Sequence, residues 1–184
     1  MRDSVVMREM ETARLYLRSW KLTDSSSLFK YASDPEVGPR VGWSPHTSID
    51  ESEKIIQSVL LNKNNYAICK KEENCIIGSI GFDECETVKG KTEATIGYWI
   101  ARPFWGLGFG PEALEQIVWY CFEEKKFESL WCEIFEDNHR SIKIVERLEF
   151  ELIYTKPSVY VEAIDLSKNL LCYRLKKSQK EGMN

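Results

Sequence analysis

The sequence predicts an α/β (α+β) domain in which helices flank a single mixed, mostly antiparallel sheet. Segments with the strand period of two outnumber helical segments, and three of them follow one another as an apparent antiparallel meander. A glycine-rich turn then joins a strand to a helix, and a further strand follows that helix. Because a strand–helix–strand unit forms a right-handed parallel crossover, we expect one parallel pair in the sheet.

The first third of the chain alternates short elements with a long loop. Residues 12–20 alternate apolar and polar side chains and predict a strand, whereas residues 24–33 predict a short helix. Residues 34–48 hold three prolines and two glycines and predict a loop. Ser48 and Glu51 have capping-box spacing, so a second helix is expected to begin at Ser48.

The rest of the chain carries the meander and the crossover. The meander strands are predicted at 66–71, 75–84 and 92–101. The later elements are expected in the order of a glycine turn at 105–110, a helix at 111–125, a strand at 129–135, a helix at 138–148, and strands at 150–156 and 169–175.

Length and composition fit one globular domain. The chain has 184 residues, of which 43 % are hydrophobic and 29 % charged, enough for one full hydrophobic core. We expect a single domain over residues 1–184, with its core at about 11–176 and loose ends at 1–10 and 177–184.

Charge and hydropathy exclude several kinds of partner. The net charge of −4 disfavours nucleic acid, because phosphate backbones are repelled, and the basic run Lys176, Lys177 and Lys180 is interpreted as a solvated tail. No apolar stretch approaches the roughly 18 residues of a membrane span, and no secretory leader is recognisable. We therefore expect a cytoplasmic protein without a membrane partner, either a monomer or a homodimer.

The cysteines and histidines do not suggest a metal site. No two of the six cysteines have CxxC spacing, and His46 and His139 are the only imidazoles, so no metal is expected. Cysteines such as Cys69 and Cys132 fall within apolar strand-like segments, which predicts buried free thiols.

The segment from Trp99 to Ala113 carries the main functional signal. Gly106, Gly108 and Gly110 lie between a strand and a helix, where glycine lets backbone N–H groups approach a ligand. The helix N-terminus adds free donors and a partial positive charge, which suits a phosphate or pyrophosphate. The spacing departs from G-x-G-x-x-G, and no lysine follows as in the phosphate loop of NTPases. A dinucleotide-dependent oxidoreductase is therefore a disfavoured alternative.

The same segment resembles the cofactor loop of the GNAT superfamily of N-acetyltransferases, whose pattern is Q/R-x-x-G-x-G/A. Trp105 stands where Gln or Arg is usual. An aromatic residue before G-x-G, followed by Glu-Ala, is similar to the ribosomal-protein N-acetyltransferase (RimJ/RimL-like) branch. Glu149 replaces a glycine that is usual in that branch, which predicts a differently shaped turn. Other segments that resemble this branch in order and spacing are 12–18, 43–48, 96–100, 138–141 and 146–150.

The resemblance implies a splayed GNAT-like sheet and an N-acetyltransferase that uses acetyl-CoA as co-substrate. The acceptor would be a small-molecule or peptide amine that attacks directly in a ternary complex. A backbone N–H near the end of the strand would stabilise the oxyanion. The implied cofactor-binding residues are Trp99, Ile100 and Ala101, whose backbone would pair with the pantetheine arm, and Gly106, Leu107, Gly108, Phe109 and Gly110, which would hold the pyrophosphate beside the loop anchor Trp105.

The segment that begins at Asn138 carries the implied catalytic group. The resemblance implies that Asn138 binds the pantetheine and that Ser141 lies near the sulfur, where it would protonate the departing thiolate as general acid. Both residues also fit the capped start of a helix. Lys143 could reach a phosphate of the cofactor, although a solvated lysine is the simpler interpretation.

The general base is left open by the sequence. The superfamily often places a carboxylate on the strand before the cofactor loop, but Thr95 occupies that position here. The remaining candidates are Glu93, Glu133 and Glu162.

Two further hypotheses follow from the same segments. The loop that contains Trp43 and His46 could form one wall of the acceptor pocket. The loss of the usual carboxylate and of Gln/Arg keeps a non-catalytic CoA-binding module as an alternative.

Overall fold

A computed structural model describes residues 8–62, 64–86 and 92–178, and its elements follow the predicted order. The helices are α1 (Ser25–Ala32), α2 (Ile49–Ile55), α3 (Phe109–Glu123) and α4 (His139–Arg147). The strands are β1 (Met10–Glu11), β2 (Leu15–Ser19), β3 (Asn65–Lys70), β4 (Cys75–Glu86), β5 (Thr92–Ile100), β6 (Ser129–Phe135), β7 (Glu151–Val161) and β8 (Leu166–Lys176).

The strands form one sheet in the order β1-β2-β3-β4-β5-β6-β8-β7. Every neighbouring pair is antiparallel except β5 and β6, which are parallel and are connected through α3. The predicted mixed sheet and its single crossover are confirmed. A doubly wound parallel sheet, which the dinucleotide alternative requires, is not what these strands form.

Strands β5 and β6 separate soon after they pair. Their parallel register covers only residues 93–95 of β5 and 129–131 of β6. Beyond it, β5 pairs with β4 alone and β6 pairs with β8 alone. The sheet is therefore splayed, and the gap opens beside residues 96–100, directly before the glycine turn.

The core lies on both faces of the sheet. The predicted inward face of α3 is confirmed, because six of its side chains are at most 2 % exposed, namely Ala113, Leu114, Ile117, Val118, Cys121 and Phe122. They pack with Leu15, Leu17 and Ile80 of the sheet, and Val145 of α4 joins the same cluster. Helices α1 and α2 cover the other face, where Leu28 and Ile56 pack against Ala67 and Cys69 of β3.

Several boundaries differ from the prediction. Helix α3 begins at Phe109, two residues early, because Gly108 takes a left-handed φ of +82° and turns the chain there. Strands β7 and β8 each run for 11 residues, which is longer than predicted. The sequence pattern underestimates β7 because this strand is largely exposed and its register shifts interrupt the apolar–polar alternation. The two-residue β1 was not predicted.

The expected loose ends are only partly described. Residues 1–7 and 179–184, including Lys180, lie outside the described residues. The interpretation of Lys176 and Lys177 as a solvated tail is wrong. Lys176 closes β8, and the Lys177 ammonium donates to the carbonyl of Phe122 at 3.1 Å.

The start of α2 keeps half of the predicted capping box. Ser48 Oγ accepts a hydrogen bond from Glu51 N at 3.0 Å, as expected. The Glu51 carboxylate instead accepts from the backbone N–H and hydroxyl of Thr47, at 2.6 and 2.7 Å.

All six cysteines are free thiols. Four are buried, as predicted for Cys69 and Cys132, whereas Cys75 is half-buried and Cys85 is exposed. Within the described parts of the chain, each helix is too short or too polar to span a membrane.

The turn after α4 yields a stability prediction. Glu149 has a φ of +66°, the left-handed conformation that glycine usually supplies after a helix, and the expected difference in the shape of this turn stays a prediction. Replacing Glu149 with glycine should raise the free energy of unfolding by about 0.5–1.5 kcal/mol, because glycine relieves this strain. The melting temperature should rise by about 1–6 °C.

Two variants control for the lost carboxylate and for glycine at a position without a left-handed φ. Glu149→Ala removes the same charge but keeps a Cβ, and should give no gain. Arg147→Gly places glycine at the last residue of α4, where φ is not left-handed, and should cost up to about 1 kcal/mol. An equal gain from Glu149→Ala in thermal unfolding would show that strain is not the cause.

Candidate active site

The glycine turn has a backbone that other residues resist. Gly106 and Gly108 have φ values of +77° and +82°. A Cβ on Gly106 would meet no atom within 4 Å, so open space lies beside this residue of the turn. Helix α3 begins directly after it at Phe109, which leaves first-turn N–H groups without intrahelical acceptors. The turn therefore offers backbone donors and the positive end of a helix dipole.

A side-chain clamp that the sequence analysis missed holds this turn against β2. The Glu112 carboxylate accepts from Arg14 Nε at 2.7 Å, from Arg14 N at 2.8 Å and from Thr12 Oγ1 at 2.5 Å. The Arg14 guanidinium also donates to the carbonyl of Leu107 at 2.9 Å and lies over the Phe109 ring. These partners are almost 100 residues apart in the chain, so local sequence patterns could not reveal the clamp.

Trp105 anchors the other side of the turn, as expected. Its indole N–H donates to the carbonyl of Ile100 at 2.6 Å. The guanidinium of Arg140 lies 4.3 Å from the centre of a Trp105 ring. The tryptophan thus connects the end of β5 to the first turn of α4.

A cavity of about 350 Å³ opens between the glycine turn, the end of β5 and α4. Four cations line it, and no described carboxylate does, although the chain as a whole is acidic. The cations are Arg40, Arg140, Lys143 and Arg147. The last three form no ion pair with a described carboxylate, so this cavity is suited to an anionic ligand. We call it the cationic cavity.

The backbone at the end of β5 alternates between two directions. Ala101 N donates to the carbonyl of Ile77 at 2.8 Å, and Trp99 is paired with Ser79, so both face β4. Strand alternation directs the backbone groups of Tyr98 and Ile100 toward the splay. Of the three residues predicted to pair with pantetheine, only Ile100 presents its backbone there, and its carbonyl already accepts from Trp105.

The start of α4 lies beside the splay and is capped by Asn138. Its Oδ1 accepts from Ser141 N at 3.3 Å, and its Nδ2 donates to the carbonyl of Arg40 at 3.2 Å. Asn138 thus joins the proline-rich loop to α4 and fixes the backbone at Ser141. The amide oxygen has a second lone pair for a further donor.

The hydroxyl of Tyr98 lies next to this helix start. It is shielded from solvent and has no hydrogen-bond partner among the described residues. Burial raises the pKa of Tyr98, and the nearby Ser141 side chain opposes this shift, although no hydrogen bond of normal length joins the two. A buried hydroxyl without a partner is costly, which marks this position as one where a polar ligand group fits.

A second, larger cavity of about 580 Å³ lies mainly on the α1 and α2 side of the splay. Aromatic and aliphatic side chains make up most of its wall, including Trp43, Trp99 and Phe135. Asp83 and Glu133 bring carboxylates to the same wall. We call it the apolar cavity.

The two cavities share part of their walls. Ser141, Tyr98, Trp99 and Asn138 line both of them, together with Arg40 and Val41. A ligand in the cationic cavity and a ligand in the apolar cavity would therefore meet along this shared wall.

The three candidate bases occupy different places. Glu133 lines the apolar cavity, where its carboxylate accepts from Lys156 at 2.7 Å. Glu93 accepts from the indole of Trp131 at 2.8 Å and lines neither cavity. Glu162 is exposed in the turn between β7 and β8, also away from both. Of the three, Glu133 alone reaches a cavity, and Asp83 joins it as a carboxylate that the sequence analysis missed.

The proline-rich loop forms part of the apolar cavity, in line with the expectation for Trp43 and His46. The His46 ring is hydrogen-bonded to Ser52 Oγ at 2.7 Å, and its backbone N donates to the carbonyl of Ala32 at 3.0 Å. Burial lowers the pKa of His46, with a smaller opposing effect from Glu51. His46 therefore fastens the loop to α1 and α2.

Comparison with solved structures supports the fold. An acetyltransferase of the GNAT family from Bacillus anthracis superposes with a TM-score of 0.82 at 16 % identity, over 93 % of this chain and 99 % of that one. RimL, a ribosomal L7/L12 alpha-N-protein acetyltransferase solved in complex with coenzyme A, superposes with a TM-score of 0.76 at 19 % identity. The superposition covers 92 % of this chain and 98 % of RimL. At these identities the likeness concerns the fold alone.

Sequence comparison identifies the family. The chain is 32 % identical over 150 residues to the uncharacterized N-acetyltransferase p20 of Bacillus licheniformis. The matched residues cover 79 % of this chain and 83 % of that protein. Residues 14–151 match the profile of the acetyltransferase (GNAT) domain. That match spans well over half of the sequence, so the chain belongs to the GNAT family of N-acetyltransferases.

Proposed function

We propose that this enzyme transfers the acetyl group of acetyl-CoA to a primary amine by direct attack in a ternary complex, with Ser141 as general acid. One observation carries the proposal: a cationic cavity and an apolar cavity meet at Ser141 and Tyr98. Two ligands bound in these cavities would have their reactive ends adjacent, and such proximity supplies much of the rate of a two-substrate reaction. We also propose that residues 1–184 form one domain, since strands from both ends of the described chain share the sheet.

The residues of the cationic cavity fit acetyl-CoA. Gly106, Leu107, Gly108, Phe109 and Gly110 form a turn and helix start that suit a pyrophosphate. Arg140, Lys143 and Arg147 supply positive charge for the phosphates. The RimL neighbour is described as bound to coenzyme A, which agrees with this assignment.

The pantetheine arm is assigned to the splay beside β5. The sequence implied pairing with the backbone of Trp99, Ile100 and Ala101. The proposed set leaves out Trp99 and Ala101, because their backbone groups face β4. The backbone of Tyr98 and Ile100 faces the splay instead and supplies the pairing groups. The second lone pair of the Asn138 amide oxygen is free to accept a hydrogen bond from the pantetheine. The main role of Asn138 is to hold the backbone of Ser141 in place.

Acetyl-CoA supplies an activated thioester carbonyl. The Ser141 hydroxyl donates a proton to the departing sulfur, and the buried, unpartnered Tyr98 hydroxyl lies in the same shared wall, where it can donate to a polar group of the cofactor. A backbone N–H on the splay side of β5, at Tyr98 or Ile100, stabilises the oxyanion. Glu133 accepts the proton of the attacking ammonium, directly or through water, because it is the predicted carboxylate that lines the apolar cavity.

The cofactor assignment predicts a selective thermal shift. Acetyl-CoA and CoA at 100 times their dissociation constants should stabilise the folded protein by about 2.7 kcal/mol. The melting temperature should then rise by about 5–10 °C. NADH and ATP serve as controls that also carry phosphates, and neither should match the shift at equal concentration. A larger shift with NADH, or none with acetyl-CoA, would refute the assignment.

A further inference from the structure

Gly97 lies in the wall of the apolar cavity, and nothing in the fold requires a glycine there. Its φ is not left-handed, and an added Cβ would meet no atom within 4 Å. Other glycines of the sheet differ: a Cβ on Gly81 would lie 2.1 Å from Asn65 Oδ1, and one on Gly78 would lie 2.2 Å from the Trp99 carbonyl oxygen. A glycine inside a strand weakens the sheet and often marks a position that a ligand approaches closely.

The surroundings of Gly97 are apolar and aromatic. Trp99 follows it on the same face of β5 and packs edge-to-face against Trp43, with ring centres 5.9 Å apart. On the far side of the splay the apolar part of the wall includes Phe135, Val159, Val161 and Leu170. A flat or branched apolar group over Gly97 would be in contact with both walls, which is the arrangement that stabilises aromatic ligands.

The charges of this cavity complement an ammonium group. Asp83 and Glu133 line it, and the Asp83 carboxylate has no hydrogen bond or ion pair with the described residues. Glu133 lies two residues beyond Trp131, whose partner is Thr95, and so it is level with Gly97 across the splay. Arg140, Lys143 and Arg147 lie in the other cavity. Arg40 lines both cavities but is paired with Glu36, and Glu133 is paired with Lys156, so Asp83 carries the uncompensated charge of this cavity. An acceptor that carries a positive charge is therefore favoured on the acidic side of the junction.

Resting on the proposed acetyl transfer, we propose that the acceptor is a primary amine on an aromatic or branched apolar body, and that Gly97 leaves the space for that body. In the reaction the nitrogen forms the amide bond while the carbon–sulfur bond breaks. The ammonium gives up two protons in all. The first is accepted by Glu133, directly or through water, and passes on to solvent. The second leaves the nitrogen as the amide forms and balances the proton that Ser141 delivers to the thiolate.

The test compares 2-phenylethylamine with ethylamine, which has the same reactive end without the ring. The wild-type protein should show kcat/KM at least about tenfold higher for 2-phenylethylamine, because the ring is buried against the cavity wall. Spermidine and a short peptide with an N-terminal alanine complete the panel. A preference for either of these over 2-phenylethylamine, or equal rates for the two simple amines, would overturn the proposal.

Gly97→Val then tests the role of the glycine. Valine favours strands, so the melting temperature should not fall, and the dissociation constant of acetyl-CoA should stay within about twofold. The preference for 2-phenylethylamine over ethylamine should drop to about threefold or less, mainly through a higher KM. The matched control Thr95→Val changes the same face of β5 outside the cavity and should keep the wild-type preference. An unchanged preference in Gly97→Val would refute the role of Gly97.

Acetyl-CoA binding distinguishes a failure of the acceptor inference from a failure of the proposed acetyl transfer. If acetyl-CoA raises the melting temperature while 2-phenylethylamine is not acetylated, the acceptor inference is wrong and the cofactor assignment stands. If acetyl-CoA does not bind, the proposed function fails, and the acceptor inference fails with it.

Discussion

Replacing Ser141 with alanine should lower kcat for acetyl transfer by about 10²-fold while the dissociation constant of acetyl-CoA changes by less than about twofold. The Ser141 side chain lies where the two cavities meet, next to the buried Tyr98 hydroxyl. Without its hydroxyl the departing thiolate must take a proton from water. Rapid-quench kinetics with an amine acceptor and calorimetric titration with acetyl-CoA measure the two quantities separately.

Asn138→Ala is the matched control, because the two residues share one capping hydrogen bond. In that bond Asn138 supplies the side chain and Ser141 only its backbone N–H. Loss of the cap should cost about 1 kcal/mol and lower the melting temperature by about 2–4 °C. Ser141→Ala should leave the melting temperature unchanged. If Ser141→Ala destabilised the protein and kept full turnover, its part would be structural, and the general-acid role would be wrong.

The Ser141 result also decides whether the cofactor site is catalytic. A protein that only binds CoA would release no thiol in the presence of an amine, with or without the serine hydroxyl. Turnover by the wild-type chain that depends on Ser141 would exclude that alternative directly.

Most of the fold could be predicted because its signals are local. The inward face of α3 follows from a 3.6-residue period, and the start of α2 follows from the hydroxyl of Ser48. The end of the sheet was harder to predict. Strand β7 is mostly exposed and interrupted by register shifts, so its sequence lacks the alternation that a half-buried strand shows.

The candidate site likewise contains features that the sequence shows and features that only the packing reveals. Its backbone elements, the glycine turn and the helix start at Asn138, are visible in the sequence because glycine and asparagine have conformational preferences. The clamp between Arg14 and Glu112 is not visible, since it depends on how β2 and α3 pack. Gly97 falls within the segment 96–100 that resembles the RimJ/RimL-like branch, but its part in the apolar cavity follows only from the open space beside it.

Gly108→Val should weaken acetyl-CoA binding by about 10²-fold or more. At a φ of +82° a side chain costs about 1–2 kcal/mol of strain, and a Cβ there would lie 3.2 Å from the Arg14 guanidinium. Relief of the strain and of this contact displaces the turn or the Arg14 guanidinium, which also holds the Leu107 carbonyl and the start of α3. Displaced N–H groups can no longer donate to a pyrophosphate, and each charge-assisted hydrogen bond is worth about 1.5–3 kcal/mol.

Gly97→Ala is the control that separates the loss of acetyl-CoA affinity in Gly108→Val from a general destabilisation by side chains at glycine positions. It adds a Cβ where no atom lies within 4 Å and where φ is not left-handed, so acetyl-CoA affinity should stay within about twofold. Circular dichroism of Gly108→Val should keep the wild-type spectrum, because the turn lies outside the sheet and its loss should not unfold the core. Wild-type affinity in a folded Gly108→Val protein would mean that the cofactor phosphates are held by Arg140, Lys143 and Arg147 without the turn. The glycine turn would then serve only to connect β5 to α3.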